Sequence, residues 1–278
     1  MTVAEAVKAS TEFLAGKGVP SPRVDAEHLL AHGLGLTRLD LYLQYDRPLT
    51  EDELGACREL VRRRGTREPL AYILGEWGFR RLTLKVDDRA LIPRPETEVV
   101  VERCLALLDG TTEPAVIDVG TGTGAIALAL ADERPDAAVT AIDVSEDAVA
   151  LAAENSARAG LAGRVTLLVR DVGDGLPGGP YDLVVSNPPY VEPQDLVSLQ
   201  PEVRDWEPEA ALVGHGVTER VARAARDVLR DGGALVLEVA DGTAGDVSEL
   251  LTTLGYENVV ATADLAGRDR VVEGRWTP

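Results

Sequence analysis

The chain has 278 residues, 45% hydrophobic and 27% charged, a composition that excludes disorder and leaves room for one large globular domain or two modest ones. Its formal net charge of −19 is unevenly spread: residues 1–92 carry 14 basic and 14 acidic side chains, whereas residues 93–278 carry 14 basic and 33 acidic. So acidic a larger part repels phosphate backbones and argues against direct nucleic-acid binding. No apolar run approaches a membrane span, and the first residues lack the basic and apolar regions of a signal peptide, so a cytoplasmic protein without membrane contact is expected.

The first part reads as a small helical bundle of four short helices ending near residue 66. Thr2-x-x-Glu5 and Thr50-x-x-Glu53 are capping-box patterns, and Ser21-Pro22 offers a cap followed by proline at the first helical position. Leu29 and Leu30, with Val24 and Ala26 nearby, mark one apolar face, and Leu54, Leu60 and Val61 another. His28 and His32 sit four residues apart but lack any surrounding metal-site pattern, so ordinary helix positions are expected. Arg58, Arg62, Arg63, Arg64 and Arg67 form the one basic concentration. Two readings stay open for it: a solvated helix end complementing its own dipole, or a docking patch for an acidic or RNA-associated partner. A turn at Trp77-Gly78-Phe79 then leads to two extended pieces, residues 82–86 and 90–92, around Asp87-Asp88. This is the expected hairpin linker.

From Pro93 the pattern changes to strand, loop, helix, repeated. Residues 115–119, 138–143, 165–169, 182–185 and 234–239 are short apolar runs rich in β-branched residues, separated by helical stretches. They predict a mostly parallel sheet covered by helices on both faces. Residues 259–261 and 270–273 are close enough in sequence to pair antiparallel at one edge. Arg94, Glu96 and Thr97 open a helix after Pro93, where capping, a domain interface and cofactor contact are all open roles. Cys57 and Cys104 are too few and too far apart for a disulfide framework or a metal site and read as reduced structural thiols.

The first strand of this half runs into Gly120-Thr121-Gly122-Thr123-Gly124 and then an apolar helix. Such a loop lets backbone approach a ligand and points helix N-terminal amides at it. Asp143, ending the next strand, is placed to accept hydrogen bonds from ribose hydroxyls. The spacing alone leaves two cofactors open, because Gly120-x-Gly122-x-x-Ala125 also satisfies the dinucleotide fingerprint. Asp118, just before the loop, suits the cationic methionine end of S-adenosylmethionine better than a diphosphate.

The stretch S-N-P-P-Y-V, residues 186–191, closes the fourth parallel strand. Two successive prolines cannot continue a central ladder, so Asn187, Pro188, Pro189 and Tyr190 are presented rigidly at the sheet's carboxyl edge. There the side-chain oxygen of Asn187 and the carbonyl of Pro188 can accept the two N–H bonds of a planar NH₂ group, with Tyr190 over its face. The glycine loop followed by this tetrapeptide resembles the S-adenosylmethionine-dependent methyltransferases that modify planar nitrogens of adenine, cytosine or glutamine.

Residues 67–75, R-E-P-L-A-Y-I-L-G, and 91–98, L-I-P-R-P-E-T-E, narrow the likeness, together with residues 207–212 and 264–270. They resemble the peptide chain release factor glutamine methyltransferases. The resemblance implies a Rossmann-like class I methyltransferase domain at 93–278, an α/β fold with a seven-stranded sheet. It is preceded by a helical substrate-recognition domain at 1–75 and a β-hairpin linker at 76–92. It implies S-adenosyl-L-methionine as methyl donor and S-adenosyl-L-homocysteine as product. The acceptor would be the glutamine amide in the Gly-Gly-Gln motif of bacterial release factors, and the enzyme a monomer.

Asn187, Pro188 and Tyr190 would be catalytic and, with Pro189, hold the substrate. Gly120, Thr121, Gly122, Thr123, Gly124, Asp143, Asp171, Val172 and Asn187 would hold the cofactor, with no metal. Where that family carries an aromatic residue against the adenine, this chain has Val172 after Asp171. The rival substrates are a ribosomal-protein glutamine and a nucleic-acid adenine. A nicotinamide oxidoreductase is a different class, and would need a His or Tyr-Lys pair near the cofactor. Only His215 lies in the second half, and no lysine follows Lys85.

Overall fold

Capping chemistry sets the helix starts of the first unit. In the computed structural model, which describes residues 1–278, this unit comprises Met1–Glu76 together with Leu199–Trp206. Its helices are α1 (Val3–Gly16), α2 (Pro22–Leu34), α3 (Arg38–Leu43), α4 (Glu51–Gly65) and the short α5 (Leu70–Leu74). Thr2 and Thr50 cap α1 and α4 in complete capping boxes with Glu5 and Glu53. Thr37 and Asp40 form a third box at α3, with Asp taking the part usually played by Glu. Ser21 makes no side-chain cap bond, and α2 instead starts on Pro22 at its first turn. Val3, Leu14, Leu29, Leu30, Leu54 and Val61 close the core of this unit.

Inside it, Arg64 is 4% exposed and is neither a solvated helix end nor a free docking group. Its guanidinium donates to Asp25 at 2.7 Å, to Glu202 at 2.7 Å and to the Glu68 carbonyl at 3.1 Å. Arg67 adds two bonds to Glu202 at 2.7 and 2.5 Å. Arg62 and Arg63 pair with Glu59 and Glu68. The basic run is thus largely consumed by internal ion pairs.

The second unit, Trp77–Ser198 with Glu207–Pro278, begins with a hairpin. Its strands are β1 (Glu76–Phe79) and β2 (Leu82–Lys85). Its turn falls at Arg80, where φ is +50°, so Trp77, Gly78 and Phe79 are strand rather than turn. Residues 90–92 form no strand. The expected register fails because Phe79 and Leu84, both fully buried, need adjacent places over the same core, which a turn at Asp87-Asp88 cannot provide.

The chain continues through α6 (Thr97–Leu107), β3 (Ala115–Val119), α7 (Ala125–Glu133), β4 (Ala138–Asp143), α8 (Glu146–Arg158), β5 (Val165–Val169) and β6 (Tyr181–Ser186). The helix α9 (Pro201–Arg204) lies in the segment that belongs to the first unit. The second unit then resumes with α10 (Glu209–Leu212), α11 (Val217–Arg226), β7 (Leu229–Glu238), α12 (Ala244–Thr253), β8 (Tyr256–Ala263) and β9 (Asp269–Trp276).

The seven-stranded sheet has the order β5-β4-β3-β6-β7-β9-β8. It is parallel through β7, and β9 and β8 add antiparallel at the edge. Side chains alternate between two cores, Val116, Leu183 and Val236 toward α6 and α7, and Ile117, Val184 and Leu235 toward the face that holds Val221 and Leu251. Strand order reverses between β3 and β6, and in open sheets that reversal leaves a crevice at the carboxyl ends of the two strands. No helix is long and apolar enough to cross a membrane.

Replacing Arg64 with Ala leaves the buried carboxylates of Asp25 and Glu202 short of a partner. A loss of about 3 kcal/mol is expected in urea-induced unfolding, whereas the exposed Arg62→Ala should cost less than about 1 kcal/mol.

Candidate functional site

The crevice predicted by strand order is a cleft of about 390 Å³. Its lining includes residues 119–123 at the end of β3, 142–145 at the end of β4, 170–172 after β5 and 186–189 at the end of β6, with Arg94 just before α6, Thr97 at its start, and further residues between 89 and 93 and between 208 and 221. The glycine loop and the Asn-Pro-Pro segment therefore face one space.

Each segment is held from beneath. Asp143 accepts from the Gly122 amide at 2.9 Å through Oδ2 and from the Ser145 amide at 3.0 Å through Oδ1. One carboxylate thereby fixes both the glycine loop and the start of α8, and keeps lone pairs for a ligand's hydroxyls. Burial raises its pKa against the pull of these amides. Asp171 folds back on its own loop, accepting from the Gly173 amide at 2.7 Å. Val172 lines the cleft as an apolar surface, with no aromatic ring at this point.

Asp118 does not face the cleft. Strand alternation turns it toward α7, where it is wholly buried and accepts from the Thr121 hydroxyl at 2.7 Å and the Ala127 amide at 3.2 Å. Its role is to tie the loop to the amino end of α7. Burial pushes its carboxyl up to about 7, against those two bonds, and its Oδ1 has no partner. Gly124 also lies outside the cleft lining. It caps α7 at φ +84°, and a Cβ there would press on Leu128 at 3.0 Å and Ala152 at 3.2 Å, so packing requires this glycine.

At the end of β6, Ser186 donates to the Val119 carbonyl at 2.7 Å, which pins the last residue before the prolines to β3. Pro188 is buried, Asn187 and Pro189 are partly exposed, and Tyr190 is 38% exposed beyond the cleft lining. The Tyr190 phenol is raised by burial and by the Glu238 and Glu96 carboxylates, while Arg270 and Arg94 lower it.

Two residues support the cleft from outside its lining: Gly214, which no motif marks in the sequence, and Glu207, which opens the stretch 207–212. Gly214 sits so close behind Pro189 that an added Cβ would lie 2.4 Å from the proline's carbonyl oxygen and ring. Glu207 accepts from the Ile92 amide at 3.1 Å and pairs with Arg94, so it holds a cleft-lining arginine. Of the groups an oxidoreductase would need, His215 is 87% exposed beside Glu192, and Lys85 pairs with Glu154; neither lines the cleft. No cluster of side chains suits a metal ion, and Cys57 and Cys104 are buried free thiols.

Comparison with known proteins adds an independent finding. Residues 5–75 match the model of the PrmC N-terminal domain, and residues 99–201 match that of the methyltransferase small domain. The chain is 44% identical over 267 residues to a release factor glutamine methyltransferase of Geobacter sulfurreducens, covering 95% of this chain and 93% of that one. It is 43% identical over 282 residues to its namesake in Chlorobaculum tepidum, covering 97% and 95%. Among solved structures, a SAM-dependent O-methyltransferase from Thermotoga maritima superposes with a TM-score of 0.52 at 17% identity, over 68% of each chain, a likeness of fold alone.

The Asp118 carboxyl titrates higher in the folded protein than in the unfolded chain. Its contribution to stability is complete below about pH 4 and is lost as pH rises through about 7. Asp118→Asn should flatten this part of the decline in stability between pH 4 and pH 7, measured as urea midpoints across that range.

Proposed function

Because the chain belongs to the release factor glutamine methyltransferase family, we infer that it transfers a methyl group from S-adenosyl-L-methionine to a glutamine side-chain amide of a peptide chain release factor. The observation that carries this reading is that the glycine loop and residues 186–189 line a single cleft at the sheet's reversal point.

The residues present fit such a cofactor. The loop after β3 offers backbone, Asp143 offers acceptors for hydroxyl groups, and Val172 offers an apolar contact beside Asp171. When bound, the cofactor supplies an electrophilic methyl group on a sulfonium. The protein's own task concerns the acceptor. An amide nitrogen is a poor nucleophile because its lone pair is delocalised into the carbonyl, so orientation and charge stabilisation are the means of catalysis available.

The Asn187 side-chain oxygen and the Pro188 carbonyl accept the two N–H bonds of the amide and leave its lone pair free. The missing amide hydrogens of Pro188 and Pro189 keep this segment out of the ladder. Ser186 and Gly214 hold it from either side. The Tyr190 ring lies just beyond the cleft lining, from where its face can close over the seated amide and favour the positive charge that develops there.

The helical unit supports recognition of the release factor, and the glutamine of its Gly-Gly-Gln motif is the acceptor. The reading includes a cytoplasmic monomer that meets neither nucleic acid nor membrane directly. The acidity of residues 93–278 supports it over an adenine methyltransferase, which must attract a phosphate backbone.

Incubation with purified release factor and labelled methyl donor, followed by mass spectrometry of the Gly-Gly-Gln peptide, should show one added methyl on glutamine. Its absence while the cofactor binds would sink the substrate assignment. Asn187→Ala should lower kcat by about 10²-fold or more with an unchanged melting temperature. Gly214→Ala, which must displace Pro189, should lower kcat by about tenfold and leave cofactor affinity within twofold.

A further inference from the structure

One buried carboxylate, Glu238, stands behind this cleft. Glu238 ends β7, the strand paired with β6. Ser186 and Leu237 are the last pair of that ladder, so Glu238 follows it on β7 as Asn187 does on β6, and Glu238 stands behind the cleft lining rather than in it. Its residue is 3% exposed, and its Oε2 accepts the hydroxyl proton of the cleft-lining Thr97 at 2.7 Å.

The charged groups around it come from three other elements. Arg94 and Glu96 precede α6, Arg270 comes from β9, and Tyr190 leaves β6. Both arginines act on Glu238 only through space, because Arg94 pairs with Glu207, and Arg270 with Asp264 at 3.5 Å. A carboxylate buried next to the acceptor site without an ion-pair partner is expensive to keep, which makes it a candidate for function.

The reaction itself needs such a group. Methyl transfer moves a formal positive charge from the sulfonium to the amide nitrogen held by Asn187 and Pro188. Asn187 and Pro188 supply dipoles there, and no net charge. Resting on the function inferred above, we propose that Glu238 is a positioning residue that acts through Thr97: its carboxylate stabilises the positive charge arriving on the amide nitrogen and, by way of the Thr97 hydroxyl, takes up the proton that this nitrogen sheds. In bonds, the nitrogen lone pair forms the new C–N bond, and the S–C pair remains on sulfur. The N–H pair then returns to nitrogen, and the proton goes to the Thr97 oxygen as that hydroxyl gives its own proton to the Glu238 carboxylate, which later releases it to water.

Burial raises the Glu238 carboxyl to about 7, with Glu96 adding to the rise and Thr97, Arg270 and Arg94 opposing it. The ionised form is the active one, so the single-turnover rate should climb as pH rises through about 7 and then level off.

The test uses full-length enzyme, release factor and methyl donor. Glu238→Gln keeps the shape and a hydrogen bond to Thr97. It should slow single turnover by about 10²-fold, leave the KM for release factor and the cofactor affinity within threefold, and abolish the pH dependence between 6 and 8. Glu238→Asp should recover part of the rate and the pH limb, which a merely structural role would not require. Independently of activity, cofactor-free protein labelled with ¹³C-carboxyl glutamate should show one resonance titrating near pH 7 that Glu238→Gln removes.

A wild-type enzyme that leaves the release factor unmodified would overturn the function itself. A wild type that methylates, with Glu238→Gln within threefold of its rate and sharing its pH limb, overturns only the role of Glu238. If Glu238→Gln fails to fold, a pH-independent wild-type rate between 6 and 8 overturns it equally.

Discussion

Pro188 and Pro189 have no amide hydrogen to give to a neighbouring strand, and they follow a strand that is flanked by β3 on one side and β7 on the other. A central strand must therefore end at Ser186, whose hydroxyl secures the end to the Val119 carbonyl. Because β3 also ends there, in the glycine loop, two adjacent strands release their chains into the same space. Asn187 and the loop after Val119 owe their nearness to this shared termination. A longer β6 would carry the acceptor groups into the ladder, where their hydrogen bonds would be used up.

The carboxylates around the cleft divide the electrostatic work. Asp143 spends both oxygens on backbone amides and so stiffens the loop it faces. Asp118 lies under the loop, buried on the α7 side, and links Thr121 to Ala127. Glu207 fixes Arg94 and Ile92 from a segment more than a hundred residues away in sequence. Burial raises the pKa of all three, yet each is restrained by donors, which is how a site can collect negative charge without driving its loops apart. A reaction that relocates a positive charge is well served by such an arrangement.

The path of the chain between Ser198 and Glu207 ties this chemistry to the helical unit by covalent connection. Leu199–Trp206 leaves the methyltransferase unit, joins the first unit, and returns. Within that first unit Glu202 is gripped by Arg64 and Arg67, so the arginine run of α4 and its end serves to hold this returning segment. Charge counting along residues 58–67 could not reveal it, since the partner carboxylate lies about 135 residues onward.

Local chemistry carried much of the fold into legibility. Alternation of β-branched runs with apolar helices specified the parallel strands, because each buried strand must read as a continuous apolar run. The capping boxes at Thr2 and Thr50 marked helix starts, since those bonds reach only three residues. The glycine loop and S-N-P-P-Y-V announced a cleft by what glycine and proline do to a backbone. Contacts far apart in sequence were decided only by tertiary structure. The hairpin turn fell at Arg80, because Phe79 and Leu84 had to share one core. Asp118 turned under the loop, because strand alternation aimed it at α7. Gly214 came to rest against Pro189 because Val191 bridges to Val213, and Glu238 came to follow the ladder at the level of Asn187 because register between β6 and β7 is set by two packed faces that no single segment contains.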